Sequence, residues 1–428
     1  SLPVGILLAL AGMTLLIFRR VSPIIVGPLA ALLVTLLSRL PVLETVTGTY
    51  VQGVGSFFVS YFMIFLLGNL LGSLYQISGA AAKIGETVVR RFGAKNCMTA
   101  CLISAALLSY GGINSFVIIF AIYPIALKLF EEADLPTYLL PGIVCGGMWT
   151  FAMTGPFSPQ ICNIVSMQSL GTPSYAGLVP GLAASVVMAV LIVWYMNGQA
   201  KKAKLRGEHF TPPEGGVRRH EGKAPGAAVS FIPLAAVILL FNVTEIGIVA
   251  CLLIGIVLSL VLFYRSIPWK ELLPAVNQAA TTSVTVIINT ATIVGFGAVA
   301  KITPFYVWAV DLLEQSTANP YVVAAVGSNL FACILGSSSG GLTLMYTSLK
   351  DVFLAYAAQG FNLEFIHRLC SLGSGGLDSM PWNGSIVSVF GICHTTHKAS
   401  YKYNFVTCAV IPVLCTFLIA LPICIWLG

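Results

Sequence analysis

The chain carries two polar stretches, each containing glycine and proline within an apolar segment: TGPFSPQ at residues 154–160 and DSMPWNGS at residues 378–385. The first interrupts an apolar segment from about 137 to 168, and the second interrupts one from about 364 to 393. Unwound backbone inside a bilayer is tolerated only where protein or a water-filled cavity receives its polar groups. We therefore predict two discontinuous transmembrane helices whose breaks line a cavity.

Composition places these breaks in a membrane. Of 428 residues, 57% are hydrophobic and only 9% are charged, and the mean hydropathy is +0.92. Ordinary soluble domains carry roughly 25% charged residues. The sequence therefore predicts an all-α polytopic membrane protein. The net charge of +7 does not indicate nucleic-acid binding, because the basic residues lie in short loops, where they report membrane orientation.

Several function classes lack their motifs. The sequence contains no GxxxxGK[ST], HExxH or GxSxG pattern. The eleven cysteines show no metal-type CxxC spacing and are typical of reduced, apolar helix residues. We therefore expect a protein that is not an enzyme, needs no cofactor or resident metal, and draws on an ion gradient rather than on ATP.

The order of elements divides the chain into two halves joined by a basic linker. Each half is predicted to contain scaffold spans, a re-entrant hairpin and a broken helix. In chain order the segments are a first repeat at 1–200 with a hairpin at about 97–129 and a broken helix at about 137–168, a cytoplasmic linker at 201–226, and a second repeat at 227–428 with a hairpin at about 321–356 and a broken helix at about 364–393.

Several landmarks lie 225 residues apart, which favours an internal duplication over coincidence in an apolar alphabet. If each hairpin returns to its own side, each half crosses five times, and an odd number inverts the second half. With the N-terminus outside, all the basic clusters then lie in the cytoplasm. Fourteen spanning helices are the alternative. The landmark pairs are Gly72 with Gly297, Ile77 with Ile302, and Pro156 with Pro381.

The hairpin tips and the helix breaks supply candidate ligands for a small solute. Half-helix N-termini favour anions, while freed carbonyls, amides and hydroxyls hold cations. Tight helix packing at the glycine and serine runs, or a proline kink, is the alternative at each place. The candidate substrate-binding residues are Gly112, Asn114, Ser115, Thr154, Ser158, Gln160, Ser337, Ser338, Ser339, Gly340, Asn383 and Ser385.

Asp378 is the only charged residue between Ser371 and His397. Intramembrane carboxylates are costly and usually functional, so we predict that Asp378 couples transport to a cation. The alternative is a carboxylate that caps a helix beginning near Pro381. Asn163 and Ser379 are the other candidate ion-coupling residues.

His394 and His397 form an HxxH pattern at the predicted cytoplasmic end of the second broken helix. This spacing is a weak metal signal, and solvated helix-end histidines are common. We interpret the two histidines as a candidate gate or proton entry point. His367 is interpreted as interfacial.

These features together resemble the ion transporter superfamily and, within it, the gluconate permease family of proton-coupled organic-acid symporters. The resemblance covers essentially the whole chain. It implies an elevator mechanism, in which a transport domain carrying both hairpins slides past a dimerising scaffold. The stretches that carry it are Gly112 to Phe116, Thr154 to Gln160, Ser338 to Gly341, Leu377 to Ser385, and Thr396 to Tyr401.

The tail from Leu377 looks more like a short-chain-acid subgroup than a classical gluconate permease, which carries an acidic residue where this chain has Gly112-Ile113-Asn114. Breaks without Lys or Arg favour a singly charged substrate. We expect a symporter of the bacterial inner membrane that imports a monocarboxylate such as 3-hydroxybutyrate, acetoacetate, butyrate or lactate with protons or sodium. Its expected partners are that anion, the cation, lipid and a second copy of the chain. A gluconate-type sugar-acid symporter and an anion channel are the alternatives.

Overall fold

The structure, a computed structural model, describes residues 8–9, 11–13, 15–16, 19, 21–213, 222–244, 246–304, 319–381 and 383–428. Much of the predicted first repeat before residue 19 and the linker segment 214–221 lie outside the described residues. The residues within these ranges form helices joined by short turns, and none of them lies in a strand.

The helices follow the predicted order, with two hairpins and two interrupted helices. Their bounds are Pro23–Leu37, Val42–Ile77, Ala80–Phe92, Cys97–Tyr110, Ser115–Glu132, Leu140–Met148, Phe151–Thr154, Ile161–Leu170, Leu178–Leu205, Ala227–Val243, Gly247–Leu262, Trp269–Lys301, Pro320–Leu335, Ser338–Ala358, Leu363–Ser374, Gly384–Ile392 and His397–Leu427.

Among the described helices, four are long and apolar enough to cross a bilayer: Val42–Ile77, Leu178–Leu205, Trp269–Lys301 and His397–Leu427. A helix rises about 1.5 Å per residue, and the hydrocarbon core is about 30 Å thick. The 33 residues of Trp269–Lys301 therefore exceed a perpendicular crossing, so this helix tilts or extends beyond the core.

Two of these long helices, Val42–Ile77 and Trp269–Lys301, pack together as the scaffold pair. A Cβ on Gly53 would lie 3.0 Å from the Cα of Gly295, so the two backbones approach closely. Further along, the Asn69 amide donates to Ser283 Oγ at 2.9 Å. Close approach at small residues, together with amide hydrogen bonds, is how helices associate in lipid.

The two halves repeat the same elements at a constant spacing. Both arms of the second hairpin, and both long segments of the second broken helix, begin 223 residues after their counterparts in the first half. The matched first residues are Cys97 and Pro320, Ser115 and Ser338, Leu140 and Leu363, and Ile161 and Gly384. The landmark residues are 225 positions apart, whereas these helix starts are 223 apart. The landmarks lie in or at the end of other helices or inside the breaks, so their spacing does not apply to the helix starts.

Different hydrogen bonds tie the two ends of the molecule. At the linker end, Ser400 Oγ donates to the Tyr138 carbonyl at 2.8 Å, and the hydroxyl of Tyr138 donates to the Glu208 carboxylate. At the opposite end, where helix His397–Leu427 finishes, Gly428 lies against the Tyr321 hydroxyl, which accepts from the Asn362 N–H at 2.9 Å.

The two hairpins start from these opposite ends. The second arm of the first hairpin runs on to Asp134, which accepts a hydrogen bond from the backbone N–H of Phe210 at the linker end. The second hairpin begins next to Tyr321 and leads back to Asn362 at the other end. The two tips therefore point into the middle of the molecule.

Candidate functional site

A cavity of about 2460 Å³ opens at the linker end. Its polar lining includes Asn69, Ser73 and Gln76 from the scaffold pair and Asn114 from the first hairpin tip. The charged residues of its lining include more bases than acids: Lys83, Arg90, Lys128, Lys223 and Arg265 against Glu86, Glu132 and Glu271. Such a surplus of positive charge attracts small anions.

The first hairpin tip is fastened to the first helix break. Gly112 takes a left-handed φ of 80°, which glycine adopts without strain. The Gln160 amide donates to the carbonyls of Ser109 at 2.6 Å and Ile113 at 3.3 Å. Ser115 Oγ accepts from the Trp149 indole at 2.8 Å. Gln160 and Ser115 therefore hold the tip in place, and Asn114 faces the cavity.

Inside the first break, side chains bond backbone freed by the unwinding. Ser158 Oγ donates to the Ala152 carbonyl at 2.7 Å, and Thr154 Oγ1 donates to the Thr150 carbonyl at 3.1 Å. The Asn163 amide donates to the Ser158 carbonyl at 2.9 Å. Ser158 and Asn163 thus supply the partners that a break within a membrane requires. The Thr150 carbonyl, in contrast, also accepts from the backbone N–H groups of Met153 and Thr154.

The second break has a similar closure and a different charge. Asn383 accepts from the Ser385 N–H at 2.7 Å as the N-cap of Gly384–Ile392, while its amide reaches back to the Asp378 carbonyl at 3.0 Å. Asp378 is 6% exposed, and Ser379 Oγ donates to its Oδ1 at 3.1 Å. The capping alternative for Asp378 is wrong, because Asn383 caps this helix.

The second hairpin tip brings one of its three serines, Ser338, to this carboxylate. Ser337 accepts from the Gly340 N–H at 3.2 Å and caps Ser338–Ala358. Ser338 is the first residue of that helix, and its side chain contacts the Asp378 side chain. Ser339 contributes its carbonyl, which accepts from Thr343 Oγ1 at 2.8 Å.

The two breaks meet between the hairpins. A Cβ on Gly375 would lie 2.5 Å from Thr154 Cγ2, so the second break passes directly over the first. Ser338 Oγ lies 3.9 Å from Met153 Sδ, on the short helix that leads into the first break. Elements of both halves therefore surround one central region, which contains the buried Asp378.

The histidines lie at the linker end of the second broken helix. His394 is exposed and lines the cavity. His397 Nε2 lies 3.2 Å from the Pro381 carbonyl, and Tyr401 donates to the Ser379 carbonyl at 3.1 Å. His397 and Tyr401 therefore connect the last helix to the second break. The described residues contain no group of three or more His, Cys, Asp or Glu suited to a metal.

A charged group that was not predicted from the sequence lies at the first break. Arg368, on Leu363–Ser374, is fully buried and donates to the Thr154 carbonyl at 2.6 Å. His367 is also fully buried and bonds Thr172 and Asn163, so its interfacial interpretation is wrong. The available signal was an arginine next to a histidine in a segment expected at membrane depth.

Comparison with known proteins identifies relatives along the chain. The model of the GntP family permeases matches residues 2–251. A Bacillus subtilis (strain 168) protein, "Uncharacterized transporter YxjC", is 29% identical over 450 residues and covers 94% of each chain. An "Uncharacterized permease" of Haemophilus influenzae is 25% identical over 254 residues, which cover 57% of this chain and 51% of the relative.

A solved structure supports the fold. The YdaH transporter of Alcanivorax borkumensis, described as having an unusual topology, superposes with a TM-score of 0.61. The match covers 90% of this chain and 89% of that chain at 13% sequence identity. At this identity the likeness is one of fold alone.

Proposed function

The chain belongs to the GntP family of permeases, and from this premise we propose that it is a secondary active symporter importing a small organic monocarboxylate with protons or sodium ions. The family membership makes the chain a transporter of organic acids rather than an enzyme. It is a multi-pass protein of the bacterial inner membrane. The substrate and the coupling ion are the parts that we propose.

One observation carries the proposal: Asp378 is buried where the two breaks and the second hairpin tip meet. An isolated carboxylate in this setting binds a proton or a cation at a cost that the surrounding oxygens offset. Loading and unloading of this group links ion movement to substrate movement. Asp378 and Ser338 are the proposed ion ligands, with Ser379 supporting the carboxylate.

The neighbourhood of the central region favours a short-chain acid. The groups around it include Met153, Cys162, Thr154 and Gly375, which are small or apolar. The amides of Gln160 and Asn163 are already bonded to backbone carbonyls. A polyhydroxylated sugar acid needs many hydrogen-bond partners, and unpaired hydroxyls lose affinity. We therefore place a monocarboxylate with few hydroxyls in the central region. Asn114 would lie on the path of the monocarboxylate between this region and the cavity.

The inverted arrangement is part of the proposal. The 223-residue repeat and the entry of the hairpins from opposite ends support five crossings per half. The cavity, whose lining contains more bases than acids, then opens to the cytoplasm. We infer an elevator motion in which the hairpins and broken helices move against the scaffold pair of a dimer. In intact cells an impermeant thiol reagent should leave Lys223→Cys unlabelled. Labelling from outside would show that the linker end lies outside the cell, opposite to the proposed orientation.

The test of transport uses purified protein in liposomes. A panel of labelled short-chain and sugar acids is supplied with proton and sodium gradients imposed separately. Accumulation of a short-chain monocarboxylate above its external concentration, driven by one gradient, is expected. Preference for gluconate-type acids would move the substrate to the alternative. Uptake that only equilibrates, without counterflow, would indicate a channel.

A further inference from the structure

Arg368 binds oxygen atoms from both sides of the first break. Its Nη1 donates to the Thr154 carbonyl at 2.6 Å, and its Nη2 donates to Asn163 Oδ1 at 3.2 Å. Its Nε donates to the Ala176 carbonyl at 2.8 Å, and Nη2 also reaches the Ser174 carbonyl at 3.3 Å. All four acceptors are uncharged. The guanidinium is thus held in one place with its positive charge intact.

No ion pair neutralises this charge within the part of the chain that the structure describes. Glu364 precedes Arg368 by one helical turn without pairing with it. A buried cation held only by dipoles leaves a positive potential around it, since dipoles do not cancel a net charge. The first break, neutral by its own sequence, therefore lies in a positive field supplied by the other half.

The chain leaves room for this guanidinium. A Cβ on Gly177 would lie 2.5 Å from Arg368 Cβ, and one on Gly181 would lie 2.8 Å from Arg368 Cδ. Larger residues at either position would displace the side chain that spans the gap. The start of Leu178–Leu205 thus lets Arg368 reach across to the first break.

Thr154 is the last residue of Phe151–Thr154, so its carbonyl belongs to a helix C-terminus. Such carbonyls carry partial negative charge, which repels anions. Thr154 also packs against Gly375, where the two breaks meet. Arg368 therefore neutralises a repulsive carbonyl directly beside the central region.

We propose that Arg368 is a positioning residue whose charge, acting through the Thr154 carbonyl, makes the region between the breaks accept an organic anion. This rests on the proposed symport of a monocarboxylate. The four hydrogen bonds of Arg368 all go to protein oxygens, so we infer a contribution that is electrostatic and depends on its charge more than on its forked shape. At an effective dielectric near 20, a unit charge several ångströms away changes anion affinity by roughly tenfold or more.

The test measures uptake kinetics in liposomes for three variants. Arg368→Gln removes the charge. Arg368→Lys loses the fork and keeps the charge while its amine is protonated, so this variant and the wild type are also compared at pH 6, because burial lowers the pKa of a lysine. Thr172→Val is the matched control, because it removes a 2.6 Å hydrogen bond to the neighbouring His367 and leaves the charge in place. Each variant is also checked for thermal stability and a single size-exclusion peak.

We expect Arg368→Gln to raise KM at least tenfold, Arg368→Lys to stay within about threefold, and Thr172→Val to lower Tm with little change in KM. Equal loss of affinity in the Lys and Gln variants would overturn the proposal, as would an unchanged KM in Arg368→Gln. If Arg368→Gln does not fold, the Lys variant decides: near-normal KM supports the charge role. A high KM in the Arg368→Lys variant, or failure of both variants to fold, would overturn the proposal and show that Arg368 only stabilises the fold. Wild-type protein that moves no organic acid would instead refute the proposed function.

Discussion

The two helix breaks share a shape and differ in charge. In each, an asparagine amide reaches back five residues to a carbonyl: Asn163 to Ser158 at 2.9 Å, and Asn383 to Asp378 at 3.0 Å. The first break has no charge of its own and is backed by Arg368 from the other half. The second contains a buried carboxylate. The difference teaches that one repeated backbone design can present a positive field at one break and an acid at the other.

This contrast suits a symporter, since an anion and a cation need opposite surroundings within one central region. Within each break, a hydrogen bond from an asparagine amide to a backbone carbonyl closes the unwound segment. We propose that these charges separate the ligands, with the organic anion beside the first break and the coupling ion beside the second. Variants that alter one break at a time test whether the two breaks have separate roles.

The largest effect is expected for Asp378→Asn, which preserves shape and removes the charge of the second break. Gradient-driven accumulation in liposomes should fall by at least about tenfold, because the variant lacks the group that binds the ion. Substrate exchange, which needs no net ion movement, should persist. Glu364→Gln is the matched control, since it removes a half-buried carboxylate from the same broken helix. If Asp378→Asn accumulates substrate with the wild-type ratio of ion to substrate, Asp378 does not bind the coupling ion, and neutral oxygens must bind it instead.

The next largest effect is expected at Ser338, which is equivalent to Ser115 in the other half. Each serine is the first residue of the second arm of its own hairpin. Ser338 contacts Asp378, whereas Ser115 accepts from Trp149. Loss of a ligand-directed hydrogen bond costs about 1–3 kcal/mol, roughly 5- to 150-fold in affinity. Ser338→Ala should therefore weaken transport far more than abundance.

Ser115→Ala should instead lower thermal stability, because it leaves the Trp149 N–H without its partner. Uptake kinetics and melting curves of both variants distinguish the two roles. If the pair behaves alike in both assays, the proposed division between the breaks does not extend to the hairpin tips.

A smaller effect concerns packing at the second hairpin tip. A Cβ on Gly341 would lie 2.5 Å from the backbone of Ala332, whereas one on Gly340 would lie 3.2 Å from the adjustable Ser337 side chain. Overpacking against backbone costs about 1–3 kcal/mol. Gly341→Ala should therefore lower Tm clearly and Gly340→Ala only slightly. The reverse order would show that the tip packs differently.

The smallest effect is expected at the linker end, outside the membrane. Hydrogen bonds from His209 and from the Phe210 N–H hold the pKa of Asp134 below its usual value. A carboxylate with a lowered pKa stabilises the folded state above its unfolded pKa, and this contribution is lost as the pH falls through the folded pKa. Asp134→Asn should remove a small acid-dependent decrease in Tm below about pH 4. Uptake at neutral pH should not change.

The helices begin and end within a few residues of the apolar segments expected from the sequence, while the re-entrant course of the two hairpins stays a prediction. Apolar runs and glycine-proline breaks are local signals, so they survive without a structure. The sequence also placed Asp378 and Asn383 at one break. Their roles within it required geometry, since the choice of Asn383 over Asp378 as the cap depends on backbone direction.

Arg368 could not be assigned in the same way. It lies 214 residues from Thr154, and only the packing of one half against the other brings them within 2.6 Å. Charges at the two breaks were counted by position in the sequence, which gave the first break none. The same limit explains why Gln160 and Ser115 were grouped with ligand-facing residues, although both bond the protein itself.

One paired measurement tests whether the first break serves binding of the organic anion and the second break serves binding of the coupling ion. Asp378→Asn and Arg368→Gln are compared in liposomes for KM in substrate exchange and for accumulation under an imposed ion gradient. The account predicts a crossed result: Asp378→Asn exchanges substrate with near-normal KM and does not accumulate it, while Arg368→Gln has a raised KM and accumulates substrate once saturated. Identical defects in the two variants, with both folded, would contradict it.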